Sequence, residues 1–231
     1  MALEFALLDA SFADDDAYRN FSREFDADVV RYRVREEELP PVPDGAADWR
    51  HDGVVVSGSA ASVYWDREWI QSLESWVEAA AAAEVPVLGV CFGHQLLADA
   101  LGGWVESMGE YELGYHMVHH DGECRLFEGV DEWFVTFTAH SDEVVELPPG
   151  ATAHARNPFS IHAFEREPMF GVQFHPEMDR QTTETVMVHR GVDGDHVEEM
   201  LQDAFDDAHN RASDVRSVFG NFESFVADWT G

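Results

Sequence analysis

Lysine is missing from this 231-residue chain, whose 14 basic residues are all arginine. Against them stand 46 acidic residues, for a formal net charge of −32. A surplus of that sign repels phosphate backbones and anionic lipid, which excludes nucleic acid and membrane surfaces as partners. Cysteine is scarce: Cys91 and Cys124 stand alone, neither in a CxxC spacing, so a disulfide framework and a thiol-clasped zinc are excluded. No apolar run approaches the length of a membrane span, and the opening MALEFALLDASF carries no basic leader, so a soluble cytoplasmic protein is expected. With no lysine there is no GxxxxGK pattern, which removes a Walker-type ATP site. Internal repeats and low-complexity linkers are missing too, and residues 1–231 are expected to form one domain, with about 181–231 as its helical extension.

What is present is an ordinary hydrophobic fraction, 45%, enough for a packed core. The acidic residues are scattered along the chain (Asp14 to Asp16, Glu36 to Glu38, Asp203, Asp206, Asp207), whereas a disordered tail concentrates them. Such a surface suits concentrated salt, where a Debye length of about 3 Å at 1 M screens the repulsion among carboxylates.

Hydrophobic periodicity orders the first half. Glu4 to Ala10 and Asp28 to Val34 are strand-like, separated by AYRNFSREF with Tyr18, Phe21 and Phe25 at helical spacing. A strand at Val54 to Val56 runs into Ser57-Gly58-Ser59, and an Ala-rich helix follows from Asp66 to Ala83. Val87 to Val90 is the next strand, leading into a helix from about Gly93 to Leu101 that Gly102-Gly103 closes. This alternation predicts an α/β fold with a mostly parallel central sheet flanked by helices. The second half changes texture. Trp133 to His140, Ala151 to Asn157, Ile161 to Glu167 and Met169 to Phe174 read as closely spaced strands, hence an antiparallel section. From Thr182 onward helical spacing returns, in HVEEMLQDAFDDAHNRA and NFESFVADW.

Two short stretches carry chemistry. In Gly89-Val90-Cys91-Phe92-Gly93, a buried strand turns at once into a helix, the Gly-x-Cys-x-Gly form of a nucleophile elbow. The thiol would sit at a helix amino terminus, where free N–H groups and the helix dipole favour thiolate. The bland alternative is a buried structural cysteine in a strand-helix turn. The second stretch is Gln173-Phe174-His175-Pro176-Glu177. His175 ends a strand and can reach the sheet edge beside the elbow, and Glu177 can turn back to orient its ring.

Together GVCFGHQLLADALGG and GVQFHPE resemble the class I glutamine amidotransferases, Cys-His-Glu glutaminases that supply ammonia to biosynthetic enzymes. The likeness runs from about Phe5 to Glu177. VVVSGS lies where that family has its oxyanion strand, and AHSDEV, Ala139 to Val144, matches a segment before the final strands. CFGHQ, HSDEV and the tail with Asn221-Phe222 look closest to the stand-alone, GMP-synthase-like members, which also resemble γ-glutamyl peptidases. The resemblance implies a flavodoxin-like amidotransferase fold and a triad of Cys91, His175 and Glu177. It implies backbone N–H groups of Gly58 and Phe92 at the oxyanion, and Gln95, His140 and Ser141 near the substrate. Glutamine is the implied substrate and a synthetase subunit accepting ammonia the implied partner, with no cofactor and no metal. Gly58-Ser59-Ala60 replaces the family's common Gly-Gly-Pro, so the oxyanion loop is the least conventional part. The same triad would also serve cleavage of γ-glutamyl peptides; a third reading is a non-catalytic, glutamine-binding regulator.

His116, His119, His120 and Asp121 crowd together, but adjacent residues of a strand face opposite ways and cannot easily share one ion. Cys124, in a polar turn with no nearby base, reads as a structural thiol. The charge pattern generates the first prediction. Circular dichroism melts should show a cooperative transition in molar KCl and lost structure in dilute buffer; identical melts in both would remove the high-salt reading.

Overall fold

In the computed structural model, described for residues 3–12, 16–43, 49–193 and 214–230, a single nine-stranded sheet organises the chain. Its strands are β1 (Glu4–Asp9), β2 (Asp28–Arg33), β3 (Gly53–Val56), β4 (Val87–Val90), β5 (Trp104–His120), β6 (Trp133–Glu146), β7 (Thr152–Arg156), β8 (Ile161–Arg166) and β9 (Met169–Val172). The helices are α1 (Asp16–Glu24), α2 (Glu68–Ala82), α3 (Phe92–Ala100), α4 (Arg180–His189) and α5 (Ser217–Thr230). Strand order across the sheet is β2-β1-β3-β4-β9-β8-β7-β5-β6. The first five are parallel neighbours and the last four pair antiparallel, as the change of texture in the sequence predicts.

The parallel strands are buried on both faces, which is why they read as continuous apolar runs. In β1, Phe5 and Leu7 join one core with Phe21 and Phe25 from the α1 region and Phe219, Phe222 and Phe225 of α5. The intervening Ala6 and Leu8 enter the opposite core, with Ile70, Leu73, Trp76 and Val77 of α2 and Leu96 and Leu97 of α3. Aromatic edges tighten the first layer: Phe5 meets Phe25 at 5.0 Å and Phe170 meets Phe225 at 4.9 Å between ring centroids.

The predicted segments are recovered with end shifts of at most two residues in the parallel half, and Val87–Val90 without any. The strand expected over Trp133 to His140 continues to Glu146, so HSDEV lies inside β6. Of β5 the sequence points only to the run that holds His119 and His120, and not to the strand as a whole. Its alternation is interrupted by a register irregularity between Ser107 and Glu112 and by Gly109 at φ 75° and Gly114 at φ 124°, and its partner β6 supplies the pairing from outside the segment. HVEEMLQDAFDDAHNRA lies outside the described residues, whereas NFESFVADW falls within α5. Gly102, at φ 91°, ends α3 as expected, with the Gly103 N–H donating to Ala98 O at 2.8 Å.

Two glycines let β4 and α3 fold tightly together. A Cβ on Gly89 would lie 2.4 Å from Gly93 O, and one on Gly93 would lie 2.4 Å from Val56 O. Both obstacles are backbone and cannot swing aside. Gly89→Ala should therefore lower stability by about 2 kcal/mol or more, read as a reduced melting temperature in molar KCl; an unchanged melt would show that the elbow can spread.

Candidate active site

Parallel pairing decides the site. β4 and β9 run side by side with Val90 opposite Val172, and the Cys91 N–H donates to Val172 O at 2.8 Å. Both strands therefore end at the same edge, and their next residues, Cys91 and His175, meet there although 84 positions separate them. Cys91 caps α3 with φ 54° and ψ −103°, a sparsely populated backbone conformation for a residue with a side chain. Strain of this kind costs on the order of 1–3 kcal/mol and persists only where the surroundings enforce it. Here the enforcing groups are the close approach at Gly89 and Gly93 and the buried strand behind them.

His175 is anchored from three sides. Its N–H donates to Phe137 O at 2.8 Å, and its ring Nδ1 donates to Glu177 Oε1 at 2.7 Å, with both side chains 4% exposed. This sets the tautomer and leaves Nε2 as the working nitrogen. The imidazole also lies within charge and hydrogen-bond range of Cys91. Burial by itself would press the His175 pKa down, but the Glu177 carboxylate and the Cys91 sulfur outweigh it and hold the pKa up, at about 10.

The turn behind the histidine is fastened by α1. Arg23 Nη2 donates to Glu177 O at 2.5 Å, while Arg19 and Arg23 reach Asp179, whose Oδ1 caps α4 by accepting from Thr182 N at 2.8 Å. On the other side stands Gly58. A Cβ there would sit 2.8 Å from His175 Cε1 and 3.6 Å from Cys91 Cβ, so only glycine leaves the imidazole its room. The rest of that loop is tied down without a proline: Ser57 Oγ accepts from Ala10 N at 2.9 Å, Ser62 Oγ donates to Asp142 Oδ2 at 2.5 Å and Tyr64 OH to Asp142 Oδ1 at 2.9 Å.

The other sequence candidates gather at the same place. Phe92 opens α3, where the first turn has N–H groups without partners inside the helix. Gln95, His140 and Ser141 all border a small cavity of about 30 Å³ together with Cys91. Gln95 Nε2 is committed to the protein, donating to Asp142 O at 2.9 Å and Gln173 Oε1 at 3.0 Å. His140 turns its ring nitrogens to Asp142 O, 3.0 Å, and Glu112, 2.8 Å. Its imidazole belongs to the wall behind the cavity.

Sequence reasoning missed Tyr111, Asp142 and Arg190. Tyr111 and Arg190 line the small cavity and a larger one of about 530 Å³ that reaches His175 and Glu177. Arg190 lies over the Tyr111 ring, 4.5 Å from its centroid, and among the described residues it is the sole arginine lining either cavity. In a chain so short of cations that placement was the available signal. The histidine cluster disperses: His119 pairs with Glu132 at 2.9 Å on the surface, whereas His120 stacks on Phe127 and Asp121 contacts His154. Cys124 is buried, and burial pushes its thiol pKa up.

This geometry, a strained cysteine on an elbow beside a carboxylate-held histidine, can carry out acyl transfer from an amide. A family model for glutamine amidotransferase class-I matches residues 10–193. The chain belongs to the class-I glutamine amidotransferases. Among curated relatives, the glutamine-hydrolyzing GMP synthase of Azoarcus sp. strain BH72 is 33% identical over 168 residues, covering 65% of this chain and 31% of the relative. That of Nostoc sp. strain PCC 7120 is 34% identical over 155 residues, covering 66% of this chain and 26% of the relative. The amidotransferase thus spans about a third or less of the length of these relatives, and resembles the GMP-synthase type. Two solved structures share its fold. A glutamine amidotransferase of Thermotoga maritima superposes with TM-score 0.77 at 20% identity, covering 97% of this chain and 98% of that one. A glutamine amido transferase of Methylobacillus flagellatus gives 0.70 at 22% identity, covering 99% and 94%.

The electrostatics of this amidotransferase generate a pH prediction. Because the folded-state pKa of His175 is raised above the ordinary 6.5, its stabilising contribution is complete below that pH and fades as pH climbs toward about 10. Glu177→Gln should therefore destabilise the protein most at pH 6, by on the order of 3 kcal/mol, with the deficit shrinking toward pH 10. A deficit independent of pH, measured by thermal melts, would contradict that coupling.

Proposed function

We propose that this amidotransferase hydrolyses the side-chain amide of glutamine and passes the ammonia to a separate synthetase. The single observation that carries the reading is the meeting of Cys91 and His175 at one sheet edge with Glu177 holding the ring. Cys91 Sγ attacks the amide carbonyl carbon, and the charge that develops on its oxygen faces the backbone N–H groups of Gly58 and Phe92. One such donor is worth about 3 kcal/mol. His175 transfers its proton to the departing nitrogen, releasing ammonia and leaving a γ-glutamyl thioester on Cys91. Water then attacks the thioester, His175 takes up its proton, and glutamate leaves as the thiol is restored. Glu177 keeps Nδ1 protonated throughout, so that Nε2 does both transfers. Two free cysteines, one of them the nucleophile, suit the reducing cytoplasm. No helix among the described residues is long and apolar enough to cross a membrane.

Arg190 completes the reading. Free glutamine, like the glutamyl group of a γ-glutamyl peptide, brings an α-carboxylate, and this is the arginine that both cavities share. The stacked Tyr111 ring limits the space the guanidinium can sweep. A second reading draws on the larger cavity. At about 530 Å³ it falls in the range that holds drug-sized ligands, so γ-glutamyl peptides have room beside His175.

The test is ammonia release from glutamine in molar KCl, alongside glutamate release from γ-glutamylcysteine. Wild-type protein should act on glutamine, and Cys91→Ala should reduce turnover at least about 10³-fold. Arg190→Ala should raise KM by about 10- to 100-fold, the worth of one charge-assisted hydrogen bond, with kcat nearly unchanged. Undiminished ammonia release by Cys91→Ala overturns the proposal, and a strong preference for the dipeptide replaces it with the second reading.

A further inference from the structure

Beside the reaction site lies a second cluster that hydrolysis does not use. Glu112 of β5 stands directly across from His140 of β6, and His162 of β8 closes on them from beyond β7. The three side chains are 0%, 1% and 0% exposed. Glu112 Oε2 is 2.8 Å from His140 Nε2 and 3.4 Å from His162 Nε2, yet none of the three atoms completes a hydrogen bond among the described residues. Three buried polar atoms that crowd one point without bonding one another carry a desolvation cost that something must offset.

The surroundings say which atoms face that point. Asn157 Nδ2 donates to Glu112 Oε1 at 2.6 Å, which occupies that oxygen and turns Oε2 toward the histidines. His140 Nδ1 donates to Asp142 O at 3.0 Å, since a carbonyl can only accept, so in the neutral ring Nε2 carries a lone pair. A lone pair 2.8 Å from a carboxylate oxygen is repulsive unless a positive charge stands between them. We propose that Glu112 Oε2, His140 Nε2 and His162 Nε2 bind one divalent cation of the zinc class.

The donor set is two imidazoles and a carboxylate, which leaves a fourth position open to water. Two of the three ligands have the outer contacts expected of them: the ring N–H of His140 rests on a backbone carbonyl and the second carboxylate oxygen of Glu112 is held by an amide, while His162 Nδ1 has no hydrogen-bond partner among the described residues. Of the sequence cluster, His116 alone comes near, with Nδ1 3.7 Å from Glu112 Oε1. A second group, Cys124, His154 and Glu165, is less suited, because its thiol is held protonated and His154 already contacts Asp121. The cation would brace the Ala139 to Asp142 segment, since Asp142 O receives both His140 Nδ1 and Gln95 Nε2.

Cobalt(II) is the probe. Wild-type protein, stripped with EDTA and dialysed into molar KCl at neutral pH, should take up a single tight equivalent. Its visible bands should be those of a four-coordinate nitrogen and oxygen site, without the near-ultraviolet charge-transfer band that a thiolate adds, and zinc should displace it. Cys91→Ala should bind identically, which separates this site from the catalytic thiol. His162→Gln, still folded by circular dichroism, should bind about 10- to 100-fold more weakly. The proposal is overturned by faint six-coordinate bands alone, which surface carboxylates give, by a thiolate band, or by full binding in folded His162→Gln.

Discussion

The parallel pairing of β4 with β9 is the constraint on which the rest depends. Through it two strands from distant parts of the chain stop at one edge, so that the residues just beyond them share a volume a few ångströms across. The pairing is held by burial on both faces: Leu88, Val90, Phe170 and Val172 enter the core that α5 covers, and Val87 and Met169 the core under α2 and α3. Two apolar layers thus act on one backbone register, and a slip by a single residue would exchange them. Precision at Cys91 is a product of the core.

Electrostatics are then arranged within a chain that has few cations to place. Arg19 and Arg23 fasten the turn after His175 through Asp179 and Glu177 O, Arg31 meets the buried Asp9 at 2.7 Å, and Arg190 stands at the cavities. These arginines sit against buried or partly buried carboxylates and carbonyls or at the cavity wall, whereas the buried Glu112 and Asp142 are met by His140, His162, Ser62 and Tyr64. Within the site, the Glu177 carboxylate and the Cys91 sulfur hold the His175 pKa up against the opposing pull of burial.

The wall opposite the elbow comes from the antiparallel section. Asp142 joins the loop after β3, through Ser62 and Tyr64, to α3, through Gln95. Glu112, His140 and His162 lie directly behind, so the long β5-β6 pair is more than an edge extension of the sheet. It carries a polar layer that sets the position of the 139–142 segment and hence the shape of the small cavity.

How much of this was legible follows from range. GVCFG and VQFHPE were readable because each packs its requirement into a few adjacent residues: glycines for close approach, a nucleophile at a helix start, a histidine with its orienting carboxylate two positions on. The strand-helix alternation of the first half was readable because both-face burial writes itself as apolar runs. β5 was not, since its glycines and register irregularity break the alternation and its partner lies outside the segment. Arg190 and Tyr111 were equally silent, because nothing local distinguishes them from other residues of their type, and Asp142, though inside the AHSDEV stretch, gave no sign of the loop and helix contacts it makes. By itself, then, the sequence determined the two motif stretches, the succession of strands and helices along the parallel half and the acidic composition, all matters of short-range pattern. Only the tertiary structure decided that Cys91 faces His175, that Arg190 reaches the cavities and that Glu112 meets two histidines, because each is a contact between strands or helices whose neighbours are chosen by packing.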